Sequence, residues 1–284
     1  MKNEYTDRGN NRNMKIAFIG GGNMATALIG SLLASGHNID QIQVAEPSVE
    51  ARERLEKQWP IKCFERAADA IKDMDAIVLA IKPAVLPLVL EEIGKLVSGQ
   101  QMIISIVAGI HSSQIAAELS SGAAVVRTMP NTPALIGLGI TGMYARNNCS
   151  DSQRAFAQRI MESAGAVVWL QEESMLDVVT GISGSGPAYF YYMIEALRDA
   201  GTRLGLSNEV ASKLALHTAQ GAGAMAVQSD LDVAELRRRV TTKGGTTEAA
   251  LNQFKAGDFV QLVDSAVAAA TRRCHELANE GTQV

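Results

Sequence analysis

The stretch KIAFIGGGNMATALIGSLLA, residues 15–34, decides the fold. Its first part, residues 15–20, is a short apolar run that ends in glycine, typical of a buried parallel strand, and apolar residues then follow at helical spacing. The turn between them reads G-x-G-x-x-A. Gly20 permits the tight turn, Gly22 lets the backbone approach a pyrophosphate, and Ala25 lets helix and strand pack closely. A glycine turn that follows a predicted strand and opens a predicted helix predicts dinucleotide binding; a purely structural turn is the alternative.

The rest of the first half repeats the strand–helix pattern. Apolar runs of strand length follow at residues 42–46, 76–80, 102–107, 124–128 and 167–170. Residues 48–58 form a charged, amphipathic helix pattern with Ser48 as its predicted N-cap. Strand–helix repetition with short connections predicts an α/β fold with a doubly wound parallel sheet covered on both faces. Ligands of such sheets bind at the carboxyl ends of the strands, near the topological switch point.

After residue 170 the strand signal stops and the chain is predicted to be all-α. The predicted helices span residues 172–182, 187–204, 208–228, 233–240, 247–256 and 259–280. Small residues at helical spacing let these helices approach closely, and their layer is too thin and too apolar for exposure on two sides. We therefore predict a homodimer formed through this region; close packing within one chain is the alternative.

We expect the chain to consist of one disordered segment and two domains. They are a disordered extension (residues 1–13), a dinucleotide-binding domain (residues 14–170) and a helical domain for substrate binding and dimerisation (residues 171–284).

The composition excludes several classes of protein. Of 284 residues, 47% are apolar and 20% charged, as in ordinary globular proteins. The net charge of −4 gives no basic field that would hold nucleic acid or an anionic membrane. The longest apolar run, residues 102–110, is about half of the ~20 residues that a membrane span needs. Distant cysteines and scattered histidines indicate neither a disulfide framework nor a metal site, so we expect a cytoplasmic protein without metal.

Two glycine-containing segments stand out in the helical half: GISGSGPAY, residues 181–189, and TTKGGTT, residues 241–247. The second segment leads into a predicted helix with Glu248 in its first turn. A Gly-Gly turn flanked by hydroxyls at a helix N-terminus forms an anion nest that suits a small carboxylate. A capped helix start is the structural alternative, and both can hold together.

Taken together, these motifs resemble those of the pyrroline-5-carboxylate reductases. The matching stretches, in the family's order, are KIAFIGGGNMATALI (15–29), AIKP (80–83), VRTMPNTPALIGLGITGMY (126–144), SGSGPAYFYYMIEALRDAG (183–201) and TTKGGTTEAAL (241–251). The resemblance covers residues 14–280. It implies a Rossmann-type domain followed by an all-α domain that interlocks in a dimer, and NAD(P)H-dependent reduction of 1-pyrroline-5-carboxylate to L-proline, the last step of proline biosynthesis, by hydride transfer to the imine carbon.

The resemblance also implies where NADPH or NADH and the substrate bind. The expected cofactor-binding residues are Gly20, Gly22, Asn23, Met24, Ala25, Glu46, Ala80, Lys82, Pro83, Met129 and Asn131. The expected residues around the substrate carboxylate are Thr242, Gly244, Gly245, Thr246 and Thr247. The Thr247 hydroxyl, close to the ring nitrogen, is the expected catalytic group.

Cofactor choice depends on the end of the second predicted strand. Glu46 closes that strand, where an acidic side chain bonds a ribose 2′-hydroxyl and repels a 2′-phosphate. Arg52 and Arg54 could reach a phosphate instead; a solvated helix face is the alternative. Two residues depart from the pattern that is common in this family: Lys243 replaces a proline, and Ala67 replaces an asparagine that follows the third strand.

We expect that the chain accepts NADH, and we leave open whether it also accepts NADPH.

Two other functions are alternatives. A β-hydroxyacid dehydrogenase has a similar architecture, but its helix motif requires Lys and Asn where this chain has Phe190 and Ile194, and phenylalanine cannot accept a hydroxyl proton. A dinucleotide-sensing dimer without catalysis would keep the fold, and the intact GGTT turn argues against it.

A protonated cyclic imine is already an electrophile, so its reduction needs no strong base or metal. Bringing the imine carbon close to the nicotinamide supplies most of the rate enhancement.

Overall fold

The computed structural model describes residues 14–280, with side chains as far as residue 277, and the predicted disordered extension, residues 1–13, lies outside them. In this part of the chain eight strands form one sheet. They are β1 (Ile16–Ile19), β2 (Ile42–Ala45), β3 (Lys62–Phe64), β4 (Ala76–Leu79), β5 (Met102–Ser105), β6 (Ala124–Met129), β7 (Gly139–Ala145) and β8 (Gly165–Trp169). Their order is β3-β2-β1-β4-β5-β6-β7-β8. The first six strands run parallel in the Rossmann order, as predicted.

The predicted doubly wound parallel sheet is confirmed, and its last two strands run opposite to the first six. β7 pairs antiparallel with β6, and β8 runs parallel to β7. The reason is the connection between β6 and β7, residues 130–138, which is shorter than the dozen or so residues that a parallel crossover needs. The apolar runs did not predict β7, whose sequence GITGMYA contains two glycines, or β3, a three-residue strand that begins with an exposed lysine.

The helices agree with most of the predicted spans. They are α1 (Asn23–Ala34), α2 (Val49–Gln58), α3 (Ala67–Ala70), α4 (Leu86–Ile93), α5 (Ser112–Ala117), α6 (Asp151–Glu162), α7 (Met175–Val179), α8 (Gly186–Arg203), α9 (Asn208–Gln228), α10 (Val233–Arg239), α11 (Thr246–Ala256) and α12 (Phe259–Glu280). Ser48 caps α2 as predicted, since its hydroxyl accepts the Ala51 N–H. The predicted helix over residues 172–182 is instead the short α7 followed by a π-helical turn, Thr180–Gly184.

Apolar side chains cover both faces of the sheet. Phe18 of β1 lies in one buried cluster with Leu28 of α1, and the next residue, Ile19, lies in a second cluster with Leu90 of α4. Because neighbouring residues of a strand point to opposite faces, the two clusters are the two covered faces that were predicted.

Internal contacts divide the described residues into two compact units. The first comprises residues 14–184 and 270–280 and holds the sheet; the second, residues 185–269, holds α8 to α11 and the first half of α12. The predicted domain boundary after residue 170 follows the last strand and stays a prediction. No helix within the described range is both long and apolar enough to cross a membrane.

A buried ionic cluster joins β6, α5 and α7 in the first unit. Arg127 is 4% exposed, and its guanidinium lies 3.0 Å from the Glu173 carboxylate and 3.9 Å from that of Asp177. The Ser112 hydroxyl also donates to Glu173, at 2.7 Å. Removing one partner of such a buried pair costs about 3–5 kcal/mol because it leaves an uncompensated charge.

The end of α12 belongs to the same cluster. The Cys274 thiol donates to Asp177 at 3.4 Å, and Nδ1 of His275 lies 3.2 Å from the other carboxylate oxygen of Asp177. Asp177 is 2% exposed, and burial raises the pKa of Cys274, which therefore stays a neutral donor. The last described turns of the chain are thus fixed to α7.

The substitution Glu173→Gln should make folding stability less sensitive to acid. Burial acts to raise the pKa of Glu173, but hydrogen bonds from Ser112 and Arg127 outweigh it and hold this pKa below its ordinary value. A carboxyl group with a lowered folded-state pKa stabilises the fold above its unfolded-state pKa, and this contribution is lost as the pH falls through the folded-state pKa.

Urea unfolding from about pH 6 downward measures this effect. The free energy of unfolding should fall less steeply with acid in Glu173→Gln than in the wild type, because the variant has no carboxyl group to protonate. Glu91→Gln, a change of an exposed glutamate on α4, is the control and should keep the wild-type profile. Identical profiles for Glu173→Gln and the wild type would contradict the expectation.

Candidate active site

The glycine turn lies at the topological switch point, where β1 and β4 are neighbours. Gly20 has φ +100°, and a Cβ there would lie 2.4 Å from the carbonyl oxygen of Ala80. Its N–H donates to the Ala45 carbonyl at 2.8 Å. Only glycine fits both this backbone conformation and this close approach. The turn therefore brings the carboxyl ends of β1, β2 and β4 together.

The N-terminus of α1 is open. Gly22 is its N-cap, no side chain bonds to this cap, and a Cβ at Gly22 would meet no non-neighbouring atom of the described residues within 4 Å. The first-turn amides of Asn23, Met24 and Ala25 have no acceptor within the helix, and the first turn has no acidic residue. This space and these donors fit the pyrophosphate of a dinucleotide.

Glu46 directly follows β2 and bonds to the glycine turn. One carboxylate oxygen accepts the Gly21 N–H at 2.9 Å, and the other accepts the Ser48 N–H at 3.0 Å. The carboxylate is therefore fixed beside the turn, at the place where a ribose hydroxyl would bind.

The two arginines after β2 bond to backbone carbonyl groups. Arg52 donates to the carbonyl oxygens of Glu46 and Pro47, at 2.6 and 2.9 Å. Arg54 is exposed and donates to the Gly21 carbonyl oxygen at 3.3 Å. Neither is only part of a solvated helix face, since both guanidinium groups support the backbone around the glycine turn.

The remaining predicted cofactor residues follow β4 and β6. Ala80, Lys82 and Pro83 come after β4, beside the glycine turn, and the Ala80 N–H donates to the Ile19 carbonyl at 2.8 Å. Met129 ends β6, two strands further along the sheet, and Asn131 follows it. All of these residues belong to the first unit and to one edge of the sheet.

Residues 106–109, which follow β5, were not predicted as part of this edge. β5 lies between β4 and β6, and the Ile106 N–H donates to the Leu79 carbonyl at 3.1 Å. Gly109 has φ +77°. A glycine shortly after a buried strand is the signal that could have identified this loop. It would then have been predicted at the same edge of the sheet, between the segments that follow β4 and β6.

The TTKGGTT segment forms a tight turn before α11 in the second unit. Gly244 has φ +74°, and the Gly245 N–H donates to the Thr242 carbonyl at 3.0 Å. A Cβ at Gly245 would lie 2.4 Å from the Thr242 hydroxyl oxygen. The Gly244 N–H donates to the Glu248 carboxylate at 2.7 Å, so this amide already has an acceptor.

The start of α11 offers donors for an anion. Its N-cap is Gly245, which no side chain bonds, so the amides of Thr246, Thr247 and Glu248 have no acceptor within the helix. The helix dipole adds positive potential at this end. The Thr247 side chain is half-buried, and among the described residues its hydroxyl has no hydrogen-bond partner. A small ligand whose carboxylate lies next to a ring with a hydrogen-bonding atom fits these groups.

Two family models match the chain. "Pyrroline-5-carboxylate reductase dimerisation" matches residues 173–277, and "NADP oxidoreductase coenzyme F420-dependent" matches residues 15–109. The first covers most of the predicted helical domain, and the second covers the glycine turn and the strands around it.

Three of the similar proteins are named as pyrroline carboxylate reductases. The pyrroline-5-carboxylate reductase of Pseudomonas aeruginosa is 44% identical to this chain, and the match covers 94% of the chain and 97% of the relative. The structure of the pyrroline-5-carboxylate reductase of Coxiella burnetii superposes with a TM-score of 0.89 at 34% identity, covering 94% of this chain and 99% of that one. That of the Plasmodium falciparum enzyme, with NADP bound, gives 0.83 at 29% identity and the same coverage. The chain belongs to the pyrroline-5-carboxylate reductase family.

Proposed function

We propose that this chain reduces 1-pyrroline-5-carboxylate to L-proline with a hydride from NADPH or NADH. The observation that carries the proposal is the uncapped start of α11, which presents three amides and the Thr247 hydroxyl to a small ring acid. Family membership and the open glycine turn support the same reaction.

The chain's own residues would hold the cofactor at the edge of the sheet. Gly22 leaves room for the pyrophosphate, and the amides of Asn23, Met24 and Ala25 donate to it. Glu46 would accept from a ribose hydroxyl. When bound, the reduced nicotinamide supplies the hydride. Ala80, Lys82, Pro83, Met129 and Asn131 would line the path along the sheet edge.

The turn before α11 would hold the substrate by its carboxylate. The backbone amides of Thr246 and Thr247 donate to that carboxylate, and Lys243, which is exposed, adds a positive charge. Because the protonated imine is already electrophilic, the protein has only to fix the ring against the cofactor. A threonine hydroxyl is a weak acid, so Thr247 orients the ring nitrogen, and the proton comes through Thr247 or from water.

We propose a homodimer formed through the helical unit. Tyr192 of α8 and Val227 of α9 are 74% and 87% exposed, and large apolar surfaces of this kind are usually covered by a partner. A Cβ at Gly221 or Gly223 of α9 would meet no atom of the described residues outside its own helix within 4 Å, which leaves room for a second helix. A chain that stays monomeric in solution would contradict this proposal.

The cytoplasm is the proposed location. Cys63, Cys149 and Cys274 are free thiols, which suits a reducing compartment. Cell fractionation tests the proposal, and recovery of the protein outside the cytoplasm would contradict it.

Absorbance of NADH and NADPH, followed separately with pyrroline-5-carboxylate, tests the proposed reaction. We expect imine-dependent oxidation of the reduced cofactor and no oxidation with a 2-keto acid, the control substrate for a hydroxyacid dehydrogenase. Cofactor binding without imine-dependent oxidation would indicate the sensor function and contradict the proposal.

Thr247→Ala should lower kcat more than it lowers affinity for the cofactor. Loss of one hydrogen bond that orients the ring, worth ~1 kcal/mol, corresponds to about a fivefold to tenfold lower kcat. Thr246→Ala is the matched control, because the proposed role of Thr246 uses only its backbone N–H. Steady-state rates and cofactor titration give both quantities, and unchanged turnover in Thr247→Ala would remove Thr247 from the mechanism.

Glu46→Gln should shift selectivity toward NADPH. A carboxylate near a 2′-phosphate costs ~1 kcal/mol at 4 Å even in water, so its removal should raise the ratio of kcat/KM for NADPH to that for NADH by about fivefold or more. Glu50→Gln, in the first turn of α2, is the control with an acid that does not bond the glycine turn. An unchanged ratio in Glu46→Gln would show that this carboxylate does not face the ribose.

A further inference from the structure

The Asn131 side chain makes an unusual pair of hydrogen bonds. Asn131 is the N-cap of a 3-10 turn, Thr132–Ile136, yet it does not bond that turn, which is the ordinary use of asparagine at such a position. Its Oδ1 instead accepts the Ile140 N–H at 2.9 Å, and its Nδ2 donates to the Ser183 carbonyl at 3.1 Å. The residue is 8% exposed. One side chain thus joins the loop after β6, the start of β7 and the π-helical turn Thr180–Gly184.

The Ser183 carbonyl needs this donor because of the sequence around it. In an α-helix the carbonyl of residue 183 would accept from the N–H of residue 187, but Pro187 has none. The next amide, that of Ala188, donates to the Ser185 carbonyl at 3.0 Å. A half-buried carbonyl without a partner is costly, and the Asn131 amide supplies the missing bond.

Met129 rests on the same turn. A Cβ at Gly184 would lie 2.7 Å from the Met129 Cε, so the absence of a side chain at residue 184 gives the methionine its place. Met129 and Asn131 are both residues for which we propose cofactor binding. No role for the GISGSGP segment was predicted from the sequence. In the structure this segment contacts the loop after β6 through Ser183 and Gly184.

We propose that Asn131 is a positioning residue for hydride transfer. By fixing residues 129–131 to the backbone of Ser183 and Gly184, it holds the nicotinamide half of the cofactor in one orientation. Its Oδ1 and one N–H of Nδ2 are already bonded within the protein, so it acts through the backbone of its loop. This inference rests on the proposed function.

Asn131→Ala tests the proposal through turnover and binding together. Removal of both bonds frees the loop, and a misplacement of about 1 Å at the reacting atoms can lower kcat by about tenfold to hundredfold. The Kd of NADPH should rise. The Kd of ADP-ribose, which lacks nicotinamide and needs only the glycine turn, should stay within about twofold of the wild-type value.

Asn148→Ala is the matched control. The Asn148 Nδ2 also donates to backbone carbonyls, those of Gly122 and Ala123, at 3.0 and 3.4 Å, but away from the proposed site. This variant should keep the wild-type kcat and both Kd values, so a general effect of losing a side chain–backbone bond would be recognised.

Asn131→Asp provides a second, internal test. An ionised aspartate keeps the acceptor for Ile140 but directs a negative oxygen at the Ser183 carbonyl, whereas a protonated aspartic acid can donate to that carbonyl as the amide does. The ratio of variant to wild-type kcat should therefore rise as the pH is lowered from about 8 to about 6, since burial and the facing carbonyl raise the pKa of such a carboxyl group.

Three results would overturn the proposal: kcat of Asn131→Ala within about twofold of the wild type, equal weakening of ADP-ribose and NADPH binding, or a pH-independent kcat ratio for Asn131→Asp. Failure of the proposed function is separate, because it would appear as a wild-type chain inactive on pyrroline-5-carboxylate. The two binding measurements need no substrate, so they decide the role of Asn131 toward the nicotinamide half in either case.

Discussion

The close approach of the glycine turn to the segment after β4 is the constraint on which the candidate site depends. Gly20 lies against the Ala80 carbonyl at a distance that no side chain would allow. The turn can therefore cross the sheet edge at the point where strand order reverses, and the open N-terminus of α1 follows within three residues. The other predicted cofactor residues are arranged along the same edge because parallel strands end there together.

Both proposed ligand sites use a glutamate to fix a glycine-containing backbone. Glu46 accepts the Gly21 N–H beside α1, and Glu248 accepts the Gly244 N–H beside α11. In each case the carboxylate bonds an amide outside the first turn of the helix and leaves the first-turn amides without an acceptor. A helix start can thus be rigid and still have donors for an anion.

Local patterns predicted the parts of this structure that depend on local physics. Apolar runs predicted six strands, and the glycine spacing predicted the turn between β1 and α1, because burial and backbone conformation are properties of neighbouring residues. β7 was missed because two glycines interrupt its apolar pattern, and its antiparallel direction is set by the short connection before it. The Glu46–Gly21 bond and the Asn131–Ser183 bond join residues 25 and 52 positions apart, and no spacing in the sequence signals them.

The anchoring of the end of α12 to α7 affects how the protein is made. Synthesis begins at the N-terminus, so Asp177 leaves the ribosome well before Cys274 and His275, its partners in the first unit. That unit includes residues 270–280 and lacks part of its buried cluster until these residues have emerged. The sheet can assemble early, whereas the buried cluster around Asp177 is completed only after the second half of α12 has been synthesised.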